Sequence, residues 1–305
     1  MSKVLITGSE GLVGNALKRL DWTGHTVLYA SRRRVNLTKQ DQVDSLFSEV
    51  KPDMVIHAAA RVGGIQFNLD TPAQQFHDNI MMNTLVLDAA YRHGVTNLVA
   101  FGTACSFPGD LTVFGEDSLH AGEPYPAHRS YAYAKRMVDV QIEAYNKQYG
   151  LNWCSLIPGN IFGENDNFNL TSGHVVPSLI RKCYEASLSL EHFNVWGTGQ
   201  ARREFIYSGD IARIVRDLLF MESPPQKVLA TGESYSILEI ASMIMEAFGY
   251  HNINWETNKP EGQKSRVADK TMFNSKFKDF EYSDMQTSLA ATCQWFKENY
   301  DSFRS

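Results

Sequence analysis

The stretch VLITGSEGLVGNALKRL, residues 4–20, decides the fold. Residues 4–8 are a continuous apolar run ending in glycine, the pattern of a strand covered on both faces. Residues 11–20 read as a helix. Between them Gly8, Gly11 and Gly14 stand three apart, a G-x-x-G-x-x-G spacing at a strand-to-helix turn. Glycine is needed where backbone must approach a pyrophosphate, and the helix N-terminus adds free N–H groups and a positive dipole end. The stretch therefore predicts a dinucleotide site on Gly8, Ser9, Glu10, Gly11, Leu12, Val13 and Gly14.

The same alternation continues outward. TVLYA (26–30), DMVIHAAA (53–60), NLVAFGTA (97–104) and WCSLIP (153–158) read as strands. Helical segments at 40–50, 71–94 and 130–149 separate them. The second of these has Thr71 and Pro72 at its start and Gly94 at its end. Apolar strands joined by helices predict an α/β fold, a Rossmann-like doubly wound parallel sheet. Beyond it, helical signals at 175–188, 211–221, 236–249 and 288–300 flank a strand-and-loop stretch at 194–210. The expected division is an NADP-binding domain over 1–165, with a segment returning near 204–222, and a smaller C-terminal α/β substrate-binding lobe over 166–305.

Composition narrows the function. The chain has 305 residues, 43% hydrophobic and 21% charged, with a mean hydropathy of −0.29. No apolar run approaches the ~18 residues of a membrane span. The net charge of −5 argues against a nucleic-acid partner, which needs a basic face. Four cysteines, Cys105, Cys154, Cys183 and Cys293, lack metal-ligand spacing, so no metal site is expected. Their scatter and the absence of a signal-like N-terminus point to a reducing, cytoplasmic setting.

The second strand runs into Ser31-Arg32-Arg33-Arg34 with no acidic residue. An acid there would hold the ribose hydroxyls of NAD, whereas an arginine suits a 2′-phosphate, so Arg32 favours NADP(H). Three arginines in a row also read as a solvated loop. At the chemical end, Tyr131 and Lys135 lie four apart on one helix face. An ammonium beside a phenol favours phenolate and suits the tyrosine to proton transfer. Thr103 adds a hydroxyl at the end of the fourth strand, where ligands of open α/β sheets collect. Tyr133 falls on another face and reads as packing.

With these motifs the chain resembles the extended short-chain dehydrogenase/reductases over essentially its whole length. Within them it is similar to the GDP-L-fucose synthase family, bifunctional 3,5-epimerase/4-reductases of GDP-4-keto-6-deoxymannose. AAARVGGI (58–65), FGTACSFP (101–108), YAYAKRM (131–137) and PGNIFGENDNF (158–168) carry the resemblance. It continues through GHVVPSLIRK (173–182), VWGTGQARREFIY (195–207) and KPEG (259–262). It implies Cys105 as base and His174 as acid for epimerisation, and Tyr131 and Thr103 on the C4 oxygen. Lys135 is implied on the nicotinamide ribose. Phe101, Gly102, Thr103, Ala104, Pro158, Gly159, Asn160, Ile161 and His174 are implied around NADP(H), and Lys182, Trp196, Arg203 and Glu261 around the GDP-sugar. On the residues alone, Cys105 also reads as a small core side chain and His174 as a helix cap.

The chain departs from the family at Thr103 for serine, Ala104 for a hydroxyl residue, Gly159 for threonine, Glu164-Asn165 for a Pro-His pair and Lys182 for arginine. Competing readings are an enzyme for another GDP-4-keto sugar (a heptose or dideoxy sugar), a UDP-sugar 4-epimerase with bound NAD, and a non-catalytic NADP sensor. The resemblance also implies a homodimer through the helices of 71–94 and 130–149. Met81, Met82, Leu85, Val138 and Ile142 are the apolar positions expected to be left over for it.

Overall fold

The protein is described by a computed structural model over residues 1–259 and 266–303. Along the first half run β1 (Ser2–Thr7), α1 (Leu12–Lys18), β2 (His25–Ala30), α2 (Gln40–Val50), β3 (Met54–His57), α3 (Ile65–Asp70), α4 (Pro72–Arg92) and β4 (Asn97–Phe101). They are followed by a short β5 (Val113–Phe114), then α5 (Arg129–Tyr149), β6 (Asn152–Pro158) and β7 (Asn160–Phe162). The remainder holds α6 (Val175–Ser189), β8 (Phe193–Trp196), β9 (Arg202–Tyr207), α7 (Ser208–Phe220), β10 (Lys227–Ala230) and β11 (Glu233–Ser236). It ends with α8 (Ile237–Phe248), β12 (Ile253–Glu256), β13 (Val267–Ala268), α9 (Thr271–Lys276) and α10 (Met285–Glu298).

Six strands form the main sheet in the order β10-β6-β4-β3-β1-β2, every neighbouring pair parallel. The expected doubly wound parallel sheet is present. From β1 the chain steps one way to β2 and the other way to β3, so the order reverses between β1 and β3. That switch point opens a crevice beyond the carboxyl ends of the strands. Both faces are covered. Val4, Ile6, Val99, Cys154 and Leu156 pack on one side with Leu17 of α1 and Ile211, Val215 and Leu219 of α7. Leu5, Val55, Leu98 and Trp153 pack on the other with Phe47 of α2, Val86 and Leu87 of α4, and Val138 and Ile142 of α5. Continuous apolar strands follow from this double cover.

The smaller assembly is a three-stranded sheet β11-β9-β7 and a pair β12-β8, with α6, α8 and α10 around an aromatic core including Phe162, Phe168, Phe193 and Phe296. The segment at 204–222 divides. Its strand, β9, belongs to this second sheet, while α7 packs back on the main sheet. The sixth strand of the main sheet, β10, lies beyond it and is too short and ordinary in sequence to be recognised in isolation. No helix among the described residues is long and apolar enough to cross a membrane.

Two local expectations are corrected. Thr71 precedes α4, with Pro72 opening the helix, but its hydroxyl donates to Phe67 O of α3 (2.8 Å) instead of capping α4. Val138 and Ile142 are not spare apolar positions. Both are fully buried under the sheet, and the apolar side chains α5 turns outward are Met137, Val140 and Tyr149. Residues 138 and 142 share the inner face by their i, i+4 spacing, which leaves 137 and 140 on the outside.

Gly14 is the tightest point of the crossover. A Cβ there would stand 2.4 Å from Gly8 O and 2.6 Å from Ser9 Cα, both backbone atoms that cannot swing aside. Helix propensity alone favours alanine in a helix by roughly 0.5–1 kcal/mol. Overpacking against fixed backbone costs typically 1–3 kcal/mol and wins. Gly14→Ala is therefore expected to lower stability by about 1–2 kcal/mol in urea denaturation; a gain would show the contact to be soft.

Candidate active site

The crevice at the switch point is built first from glycine. Gly8 follows β1 at φ 71°, a left-handed conformation, and a Cβ on it would lie 2.6 Å from Ala59 N in the segment after β3. Gly11 N–H donates to Gly8 O (3.0 Å) and Gly11 caps α1 without a side-chain bond. The first N–H groups of α1 thus open toward the crevice, where an anion is best held. Residue 30 ends β2 directly beside Thr7, so Arg32 follows at the rim. Arg34 is committed to Glu49 (2.7 Å). Arg32 and Arg33 are exposed and have no ion-pair partner among the described residues. The donor set fits a phosphorylated dinucleotide: glycine backbone for a pyrophosphate, free guanidinium for a further phosphate.

On the other wall, β4 ends at Phe101 and Gly102 N–H donates to Leu156 O of β6 (2.8 Å). Thr103 follows as the cap of a single turn, its Oγ1 accepting from Cys105 N–H (3.3 Å). The same hydroxyl acts on the Tyr131 phenol and on the Cys105 thiol, opposing the rise of each above its ordinary range. One turn of backbone thus joins a phenol, a hydroxyl and a thiol. Ala104 lies in that turn and keeps only a methyl. Pro158, Gly159, Asn160 and Ile161 run along the next strand ends. Gly159 N–H donates to Ala230 O (2.9 Å) and Asn160 Nδ2 donates to Glu204 O (3.0 Å).

Charge in this cluster differs from the sequence expectation. Tyr131 is held well above the ordinary phenol range, first by burial, then by the neighbouring Cys105, with the Thr103 hydrogen bond opposing. Lys135 does not counter this, so in the free protein Tyr131 keeps its proton and is a proton donor. Lys135 is itself 2% exposed, its Nζ has no hydrogen-bond partner, and burial brings it down to about 8. A buried donor of this kind calls for a ligand. Burial also pushes the Cys105 thiol up, against the hydrogen bond from Thr103 and the charge of Arg266.

His174 is the exposed N-cap residue of α6 and makes no capping bond with its side chain. Its loop is stitched internally by Asn167 and Asn169 and fastened to the loop after β3, where Gly64 N–H donates to Ser172 O (2.7 Å). Farther out, Trp196 is 54% exposed with Lys182 Nζ 5.3 Å and Lys259 Nζ 5.8 Å from its ring, an aromatic platform ringed by cations. Lys182 also donates to Asn194 O (3.5 Å). Arg203 donates to Arg202 O (2.7 Å) and is pushed down by burial and then by the charge of Arg266. Arg202 is engaged with Glu239 (3.0 Å). Glu261 lies outside the described residues. Trp153, Trp255 and Trp295 pack in the two cores.

The pattern of the NAD dependent epimerase/dehydratase family matches residues 4–231. The chain is 36% identical to the GDP-L-fucose synthase of Dictyostelium discoideum, covering 99% of this chain and 97% of that protein. It is 32% identical to that of Escherichia coli strain K12, over 99% and 98%. The chain belongs to the GDP-L-fucose synthase family. A crystal structure of a family member from Naegleria fowleri bound to NADP superposes with a TM-score of 0.92 at 31% identity, covering all of this chain and 95% of that one.

Lys259 opens the KPEG segment, whereas two residues beyond the family motifs join the site. Arg266 and His57 carry no local signature, because each is brought in by tertiary packing. His57 ends β3, accepts from the Thr7 hydroxyl at Nδ1 (2.8 Å) and donates from Nε2 to Asn83 Oδ1 (3.1 Å). Burial and then the Lys135 charge hold it near 3, so it is neutral. Because the folded value of Lys135 lies below its ordinary 10.5, the unfolded chain binds the extra proton. Its charge therefore costs stability below about 8, and the cost fades as pH rises toward 10.5. Lys135→Met is expected to stabilise the free protein at neutral pH by on the order of 2 kcal/mol. The gain should shrink across that alkaline window in denaturant titrations, and a destabilised variant would contradict it.

Proposed function

We propose that this protein converts GDP-4-keto-6-deoxy-D-mannose into GDP-L-fucose, inverting C3 and C5 and then reducing C4 with NADPH. The observation that carries the reading is the single turn that caps Cys105 N–H with the Thr103 hydroxyl and sets that hydroxyl to act on both the Cys105 thiol and the Tyr131 phenol. A ketoreductase needs the phenol and the hydroxyl. A thiol on the same hydroxyl adds a base beside the carbonyl they grip, which epimerisation requires.

A ketone at C4 acidifies the hydrogens on C3 and C5, since the carbanion is delocalised as an enolate. Cys105 as thiolate takes the proton on one face, and His174 returns one from the other, inverting each centre. Thr103 and Tyr131 hold the C4 oxygen and stabilise the negative charge that develops there. NADPH, when bound, supplies the hydride for C4. Tyr131, protonated in the free protein, gives the proton to the resulting alkoxide, and Lys135 holds the nicotinamide ribose. Inversion precedes reduction, because an alcohol at C4 no longer acidifies its neighbours.

Gly8 through Gly14, Arg32, the Phe101–Ala104 turn and the Pro158–Ile161 strand end are the proposed NADPH contacts, with 1–165 as the cofactor domain. The 166–305 lobe takes GDP, with Trp196 stacking on the base and Lys182 and Arg203 on the diphosphate. Glu261 completes this set by family resemblance. The apolar outer faces of α4 and α5, with Phe76, Met137, Val140 and Tyr149 exposed, support a homodimer through these helices. Four unbonded cysteines fit a reducing, cytoplasmic setting.

The test is turnover in deuterated water with NADPH. Wild type should place solvent deuterium at both C3 and C5 of GDP-L-fucose. Tyr131→Phe should lower NADPH oxidation by about 10²–10⁴-fold, and Cys105→Ser should suppress incorporation. Undiminished oxidation in Tyr131→Phe ends the enzyme reading. Product without deuterium at carbon leaves only a reductase of some GDP-4-keto sugar.

A further inference from the structure

A half-buried thiol such as that of Cys105 is a poor base unless a positive charge stands by to stabilise its thiolate. Thr103 contributes a hydrogen bond and Tyr131 a neutral phenol, and neither is a cation. The cation facing Cys105 comes from a segment distant in sequence, the residues just before β13. Arg266 Nη2 donates to Pro108 O (3.0 Å), and its guanidinium carbon sits 4.7 Å from the centre of the Phe114 ring. The backbone behind it is fixed as well. Val267 N–H donates to Thr112 O and Asp269 N–H to Phe114 O, both at 2.8 Å, as β13 pairs with β5. The loop from Cys105 to Phe114 and the Arg266 segment are thus one unit.

Among the described residues, little negative charge faces this guanidinium. His128, at the start of α5, and Arg203, on β9, both face it, and neither is an anion. Among the described residues, Asp110, exposed on the loop, is the carboxylate that acts on it, and the other negative partner is Cys105. Arg266 Nε is buried and has no hydrogen-bond partner, so the group retains a donor aimed into the protein.

We infer that Arg266 is a positioning residue for the epimerisation base: strapped across the 105–114 loop, it supplies the positive charge against which Cys105 becomes a thiolate. The inference rests on the proposed role of Cys105, and it deepens that role. It also explains how one pocket serves opposite demands. The guanidinium acts on the sulfur, while the Tyr131 phenol remains protonated for the reduction.

The experiment follows alkylation of Cys105 by iodoacetamide against pH in the free protein, read on its own peptide by mass spectrometry. Cys154, Cys183 and Cys293 are fully buried and serve as internal controls. Arg266→Gln should move the midpoint upward, leaving about tenfold less thiolate at neutral pH. Arg266→Lys, which keeps the charge, should stay within about threefold of wild type. Asp110→Asn, a change on the exposed loop that spares the core, should give about twofold more thiolate. An unchanged midpoint in Arg266→Gln overturns the inference, including when its KM for the nucleotide sugar rises, because the guanidinium then serves the diphosphate alone. If Arg266→Gln does not fold, an unchanged or raised midpoint in Asp110→Asn overturns it equally. The role of Cys105 is read separately, from deuterium incorporation by wild type: its absence sinks the base, whatever the alkylation midpoints show.

Discussion

An ammonium buried without a partner is the constraint on which the rest of this structure turns. Lys135 lies inside the protein with no hydrogen bond to its Nζ, and an isolated charge in such a place is costly. The fold tolerates it because the surroundings are arranged for it. His57 faces the ammonium and stays neutral, locked as a single tautomer between Thr7 and Asn83. Asn83 in turn donates to Ala134 O, one residue before the lysine (3.5 Å). This chain of bonds runs from β1 through β3 and α4 to α5, tying the helix of Tyr131 and Lys135 to the strand that leads into Gly8. Cofactor loop and proton donor are thereby held in one frame, and stability is given up where a ligand is to bind.

The halves of the fold differed in how legible they were. The doubly wound sheet was readable because β1, β3, β4 and β6 are covered on both faces, so their residues form apolar runs with a helix on either side. β10 escaped notice because four residues, Lys227–Ala230, carry no period that distinguishes a strand from a loop. α3 and α9, six residues each, are too short to show a helical stripe. In the second lobe, β9 and α7 are contiguous yet serve different sheets, a division that depends on where the chain returns in space and not on composition.

The site shows the same gradient. Gly8, Gly14, Thr103, Tyr131 and Lys135 were legible because each occupies a position that the backbone of an α/β unit fixes: a strand end, a helix start or one turn of a helix. Arg266 and His57 were not, because a lone arginine after an irregular stretch and a histidine closing a strand say nothing until packing brings them together. Spacing also misled on charge. Residues 131 and 135 share a helix face, which suggests a phenolate beside an ammonium, but desolvation outweighs that attraction and Tyr131 keeps its proton. Sequence spacing fixes adjacency, whereas burial decides which protonation state the pair adopts.

Thr103 then becomes more than a substitute for a serine. Its hydroxyl accepts the backbone N–H of residue 105 through Oγ1 and acts on both the phenol of Tyr131 and the thiol of Cys105. The added methyl restricts the side chain to fewer rotamers than serine has, which suits a group that must stay fixed while protons move on either side. On the proposed reading, a carbonyl oxygen resting on this hydroxyl would meet the phenol as acid and the thiol as base. The pocket can therefore run an enolisation and a ketone reduction without moving the substrate, and the order of the two follows from the substrate: only while the carbonyl survives are the adjoining carbons acidic enough for the sulfur to act.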